Sequence, residues 1–195
     1  MKFEQVSITL SLIAVCALVF IIQQILPITD ALSFTPSQAF YMPWTFVTAI
    51  FLHASVTHIL FNMIALFFFG IYLERKISKK NYLLIFFIAG IVGNIGYILT
   101  APTPDTPGLG ASGAIYGIMA TLAVLEPTSI VFIYGIPVPM FMAAIFWFVS
   151  EYFGLFTPSD VANGAHLAGL FVGVAAGFYF RYKLRKNAFI FNRTY

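Results

Sequence analysis

The sequence predicts an all-α polytopic membrane protein, a bundle of six transmembrane helices with a short fourth helix, and three observations carry that prediction. Hydrophobic residues make up 61% of the 195 and charged residues 9%, against about 25% charged in a soluble domain. Mean hydropathy is +0.94. The apolar residues gather into six runs, and the ten Lys and Arg residues form three clusters that six spans would place on one side. The same composition excludes a disordered chain and a sequence-reading DNA-binding domain, so no nucleic acid partner is expected. It also excludes a disulfide-stapled secreted domain, because the single cysteine, Cys16, lies inside an apolar run.

A hydrocarbon layer about 30 Å thick takes roughly 20 helical residues to cross. The candidate spans are 7–26, 58–75, 81–100, 112–126, 138–156 and 164–182, in one membrane domain over 1–195. The first is longer than a signal-peptide apolar region, and no small-x-small site follows Leu26-Pro27, so it is expected to stay as a span. Between the first two lies a long apolar loop, 27–57, with Phe40, Tyr41, Trp44, Phe46 and Phe51. It suits an interfacial amphipathic segment, whose aromatic residues serve either as plain anchors or in a substrate-related role. The fourth run starts at Ser112, just after the turn-rich segment 102–108, and is too short to span the layer. Its first turn therefore begins below one surface, where only surrounding protein or a water-filled cavity can satisfy its backbone.

Lys2, then Arg75, Lys76, Lys79 and Lys80, then Arg181, Lys183, Arg185, Lys186 and Arg193 mark the N-terminus, the second-to-third loop and the C-terminus. The positive-inside rule places both termini in the cytoplasm of a multi-pass protein of the cell membrane. The opposite loops carry Asp30, Asp105 and Asp160 and no Lys or Arg.

Polar side chains inside spans are costly enough to mark function. Three places at the outer helix ends carry them: His58 and Asn62, four apart on one face of the second span; Ser112 in Gly110-Ala111-Ser112-Gly113; and His166 in Asn163-Gly164-Ala165-His166. His166 stands beside a small-residue stripe, Gly169, Gly173 and Gly177, and Ser112 adjoins Gly113 and Gly117. Small-xxx-small faces let helices approach closely in lipid, so packing of the two stripes would bring Ser112 and His166 towards each other. Taken singly, Gly-x-Ser-Gly is often only a packing motif, and a lone intramembrane His serves equally as a proton relay. A metal site is poorly supported: there is no His-Glu-x-x-His, no Cys near a His, and His53 and His58 fall on different helical faces.

On these residues the chain resembles the rhomboid intramembrane serine proteases in their compact six-helix prokaryotic form, over roughly residues 40–182. The markers are His58-x-x-x-Asn62, Gly110-x-Ser112-Gly113 with Tyr116, and Ala165-His166-x-x-Gly169 with Gly173. Trp44, Glu74-Arg75 and Trp147 also match family positions, whereas Thr45 stands where many members have Arg. The resemblance implies Ser112 as nucleophile and His166 as general base and acid. It implies His58, Asn62 and the Ser112 backbone N–H as the oxyanion hole, Tyr116 packed on the His166 ring, and Trp44 and Trp147 at substrate access. The implied partners are transmembrane protein substrates and the lipid bilayer, with no metal or organic cofactor. No carboxylate is expected to reach His166, since Asp160 lies in the preceding loop and Glu151 in another span, so a Ser–His dyad is expected. A transporter fits less well, for lack of an internal repeat. A non-catalytic client binder of the same family would have no chemical need for both Ser112 and His166.

Overall fold

The computed structural model describes residues 7–133, 135–157 and 161–191. Expectations resting on Lys2, Asp160 and Arg193 lie outside them. Six longer helices are found among the described residues: α1, Ile8–Ile25; α2, Val56–Glu74; α3, Lys79–Thr100; α4, Ser112–Leu125; α5, Met140–Gly154; and α6, Asn163–Phe191. Four of them, α1, α2, α3 and α6, are long and apolar enough to cross a membrane; α4 and α5 are apolar but shorter. The shortness read from the sequence for the fourth helix thus extends to the fifth.

The chain is mostly but not wholly helical. Ile130–Ile133 and Ile136–Pro139 pair as an antiparallel hairpin between α4 and α5, turning at Gly135, whose φ of +81° favours a residue without Cβ. Within α2 the stretch Leu66–Gly70 is a π-helical segment. It brings Gly70 against Tyr82 and Thr9, where a Cβ would lie 2.6 Å from the Tyr82 hydroxyl. Loop 27–57 is neither one helix nor a free strap. It folds into short helical turns at Thr29–Leu32, Pro36–Gln38, Thr45–Thr48 and Ala49–Phe51. It is tied to the α3–α4 connection by reciprocal backbone bonds between Phe34 and Gly108, and Ser37 Oγ donates to Asp105.

The core lies where α3, α4 and α6 converge. Helix α4 is buried on nearly every side from Gly113 to Ala123, and it packs most extensively on α6 and α3. Small residues permit this. A Cβ on Gly169 would fall 2.0 Å from the Gly113 carbonyl oxygen and one on Gly173 2.1 Å from that of Gly117. Gly93 of α3 faces Gly113 and the Ala165 carbonyl at the same level. The two glycine stripes therefore meet in backbone-to-backbone contact, the geometry that van der Waals packing in lipid favours. The periphery shows the opposite pattern, with Leu18, Ile21 and Ile25 of α1 and Ile145 and Phe153 of α5 turned outward.

At the other end of the bundle Glu74, the last residue of α2, accepts from Ser7 Oγ and from the backbone N–H groups of Ile8 and Thr9, at 2.7, 2.7 and 3.0 Å. A carboxylate at a helix N-terminus satisfies orphan donors and complements the dipole, so Glu74 fastens α1 to α2.

Candidate active site

The sequence places Ser112 at the first position of α4, and the segment before it sets its exposure. Gly110 adopts φ +127°, closed to most side chains, and its N–H donates to the Ala49 carbonyl at 2.9 Å. A Cβ on Gly110 would collide with the His58 ring at 2.8 Å, so glycine serves both the turn and the close approach. Ala111 caps α4 without a side-chain hydrogen bond, which leaves first-turn N–H groups facing the serine end of the helix.

His166 sits in the first turn of α6, buried, because the glycine stripe seats α6 against α4. Its Nε2 lies 2.7 Å from Ser112 Oγ. The Tyr116 ring, one turn after Ser112, stacks on the imidazole with centroids 4.5 Å apart and planes 8° from parallel. The structure thus brings together Ser112, Tyr116 and His166, with Gly113, Gly169 and Gly173 as the close-approach positions beneath them.

The expectation that no carboxylate reaches His166 does not hold. Glu151 of α5 is buried, its Oε2 lies 3.0 Å from His166 Nδ1, and its Oε1 accepts the Tyr116 hydroxyl. Sequence spacing puts Glu151 in a different span and does not say where its side chain points. What aims its side chain at His166 is the packing of α5 beside α4 and α6, a tertiary fact. The signal that could have found it is a carboxylate inside an apolar helix, which needs a partner. The two facing atoms meet the distance for an ion pair but not the alignment for a hydrogen bond, and neither has another hydrogen-bond partner.

His58 and Asn62 lie on the neighbouring face of α2. The Ser55 hydroxyl caps the helix by accepting from the His58 N–H. The Ala54 N–H donates to His58 Nδ1 at 3.3 Å, which assigns the ring proton to Nε2, an atom on the side of the ring that faces Gly110. Asn62 is buried and its Nδ2 donates to the His58 carbonyl at 2.9 Å; an amide nitrogen has a second donor to offer. Behind them His53 is buried with neither ring nitrogen hydrogen-bonded. Burial first, and the neighbouring His58 second, push it down to about 4.

Trp44 and Trp147 find their contacts in the outer loop and in α2. Trp44 is half exposed and its Nε1–H donates to the Ala31 carbonyl, holding the outer loop together. Thr45 beside it is buried and bonded to the Met42 carbonyl. Trp147 of α5 packs edge-on to Phe69 of α2, with centroids 5.5 Å apart. Among the described residues no group of three or more His, Cys, Asp or Glu is arranged to hold a metal ion.

The family model described as Rhomboid domain matches residues 41–183, a stretch holding every residue of this cluster. The chain belongs to the rhomboid family. It is an integral membrane protein by that membership and by its apolar helices. One rhomboid relative, named "Putative rhomboid protease YdcA", from Bacillus subtilis (strain 168), is 47% identical over 75 residues. The match covers 38% of this chain and 37% of that protein, so the chain spans little more than a third of the relative's length.

Proposed function

We propose that this rhomboid is a serine endopeptidase that hydrolyses peptide bonds in or near the transmembrane segments of other membrane proteins. The observation that carries the reading is the 2.7 Å contact of Ser112 Oγ with His166 Nε2 at the uncapped N-terminus of a buried helix. A serine hydroxyl is a weak nucleophile until a base takes its proton. Oγ attacks the carbonyl carbon while its proton passes to Nε2. The negative charge on the carbonyl oxygen is met by the Ser112 N–H and by the side chains of His58 and Asn62. His166 then returns the proton to the leaving amine as the C–N bond breaks. Water, deprotonated by the same nitrogen, releases the acyl group and restores Ser112.

The chain is read as one rhomboid-like membrane domain with six spans and both termini in the cytoplasm, the site opening to the outer face. The three basic clusters support that orientation. Trp44 and Trp147 flank the approaches to the site rather than the site itself.

The test is labelling of the purified protein by a serine-reactive fluorophosphonate, together with cleavage of a transmembrane substrate in liposomes. Ser112→Ala and His166→Ala should each abolish cleavage while preserving the fold, and the double variant should be no worse, since the pair acts as one unit. A Ser112→Ala protein that still cuts or still takes the label points to a different nucleophile, and a wild-type protein that neither cuts nor takes the label defeats the proposal in favour of a non-catalytic client binder.

A further inference from the structure

Glu151 is the one buried carboxylate in α5, in a helix otherwise made of apolar and small side chains. A carboxylate so placed is expensive unless paired. Its partners are specific. One oxygen takes the Tyr116 hydroxyl, and the other faces His166 Nδ1 at 3.0 Å, both of these facing atoms being buried with no alternative hydrogen-bond partner. Tyr116 in turn covers the flat of the imidazole. The ring is therefore fixed on three sides: Ser112 at Nε2, Glu151 at Nδ1 and Tyr116 across its face.

Resting on the reading of Ser112 and His166 as the reacting pair, we infer that Glu151 is the positioning residue of the site: its carboxylate holds the His166 proton on Nδ1, so that Nε2 is free to take the proton of Ser112. An imidazole carries its resting proton on one nitrogen only, and the wrong tautomer presents an N–H, not a lone pair, to the serine. When Ser112 gives up its proton, the positive charge on His166 develops beside the ionised Glu151, which attracts it and takes no proton itself. The imperfect alignment of the Nδ1 contact suits a resting enzyme, because such contacts are often loose before substrate binds and tighten as charge appears. Tyr116 acts twice, stacking on the ring and holding the carboxylate that faces it.

Two measurements test this. The first needs no variant: nitrogen NMR of the full chain in detergent, with its three histidines isotopically labelled, should show His166 protonated at Nδ1 and unprotonated at Nε2 at neutral pH. A resting Nε2–H tautomer overturns the inference. The second is transmembrane-substrate cleavage by Glu151→Leu and Glu151→Gln, with melting temperature measured on each. Both should lose about a hundredfold or more in kcat, up to the roughly 10⁴-fold of a triad carboxylate, with KM within about twofold, because an effect on the base is felt in the transition state and not in substrate binding. Glu151→Gln keeps the shape of the side chain and serves if the leucine variant is unstable. Wild-type kcat in either variant, or a loss that tracks melting temperature with KM rising alongside, makes Glu151 a packing strut and overturns the inference while leaving Ser112 and His166 as the pair. Cleavage by Ser112→Ala would instead defeat the reading on which it rests.

Discussion

Gly169→Ala should pull the site apart from a position buried between α4 and α6. An added Cβ would fall 2.0 Å from the Gly113 carbonyl oxygen, and real Cβ atoms essentially never come closer than 3.0 Å to such a neighbour. The obstacle is backbone, not the end of a flexible side chain, so α4 and α6 must part by about 1 Å or the helices must shift along each other. Gly113 directly follows Ser112, and His166 lies three residues before Gly169, so the displacement falls on the 2.7 Å contact between Ser112 and His166 and takes it out of hydrogen-bonding range. A misplacement of that size costs on the order of a hundredfold in rate, and overpacking a tight interface costs roughly 1–3 kcal/mol. The assay is kcat for a transmembrane substrate in liposomes with melting temperature in detergent. Both should fall together, unlike Ser112→Ala, which should lose activity alone. Gly173→Ala, whose Cβ would lie 2.1 Å from the Gly117 carbonyl oxygen, should cost similar stability but less activity, being a turn further from the pair. Gly93→Ala supplies the contrast: its Cβ would stand 3.1 Å from the Ala165 carbonyl oxygen, a fit needing only a few tenths of an ångström, so its effect should be small. A Gly169→Ala enzyme with wild-type kcat and melting temperature, or one less damaged than Gly93→Ala, would refute the reasoning.

Asn62→Ala and His58→Ala should each lower kcat by about 10²–10³-fold, the usual cost of losing one oxyanion donor, and remain labelled by a fluorophosphonate; unchanged kcat in both would make them packing residues. Glu74→Gln should lower stability by about 1 kcal/mol, since the N-terminus of α1 loses a charged acceptor, with little change in kcat per folded molecule; equal melting temperatures would show that α1 does not depend on that cap. His53, held near 4 against 6.5 for a free histidine, is neutral in the folded protein while the unfolded chain takes up a proton below pH 6.5. Stability should therefore fall as pH drops from about 6.5 to 4, by up to about 3 kcal/mol, and His53→Phe should flatten that part of the melting profile; an identical acid slope in the variant would refute the assignment.

The residues of the site fall into two kinds by how sequence exposes them. His58, Asn62, Ser112 and His166 interrupt apolar runs, where a polar side chain is conspicuous because lipid gives it no partner. The glycines at intervals of four announce a close helix contact for a similar reason: spacing along one helix fixes which residues share its face. Both signals are local, and both led to groups that the structure brings together. Other features depend on relations between elements that local periodicity does not carry. The hairpin Ile130–Pro139 is an apolar run with a glycine at its turn, which between two spans reads as a connecting loop. The π-helical stretch in α2 leaves no mark in hydropathy, although it sets Gly70 against Tyr82. Glu151 is the instructive case, because its presence was as legible as that of His166 and its role was not. Assigning a partner to a buried carboxylate requires the rotation of α5 about its own axis. That rotation is chosen by which side of α5 meets α4 and α6, and the outward-facing positions are as apolar as the inward ones. In a soluble helix the polar face would report the rotation; in a membrane both faces are greasy and the report is lost. The charge itself is what remains to be read: in an apolar helix without a hydrophilic side, the one carboxylate marks the inward face, and any histidine at the same depth on a neighbouring helix is its first candidate partner.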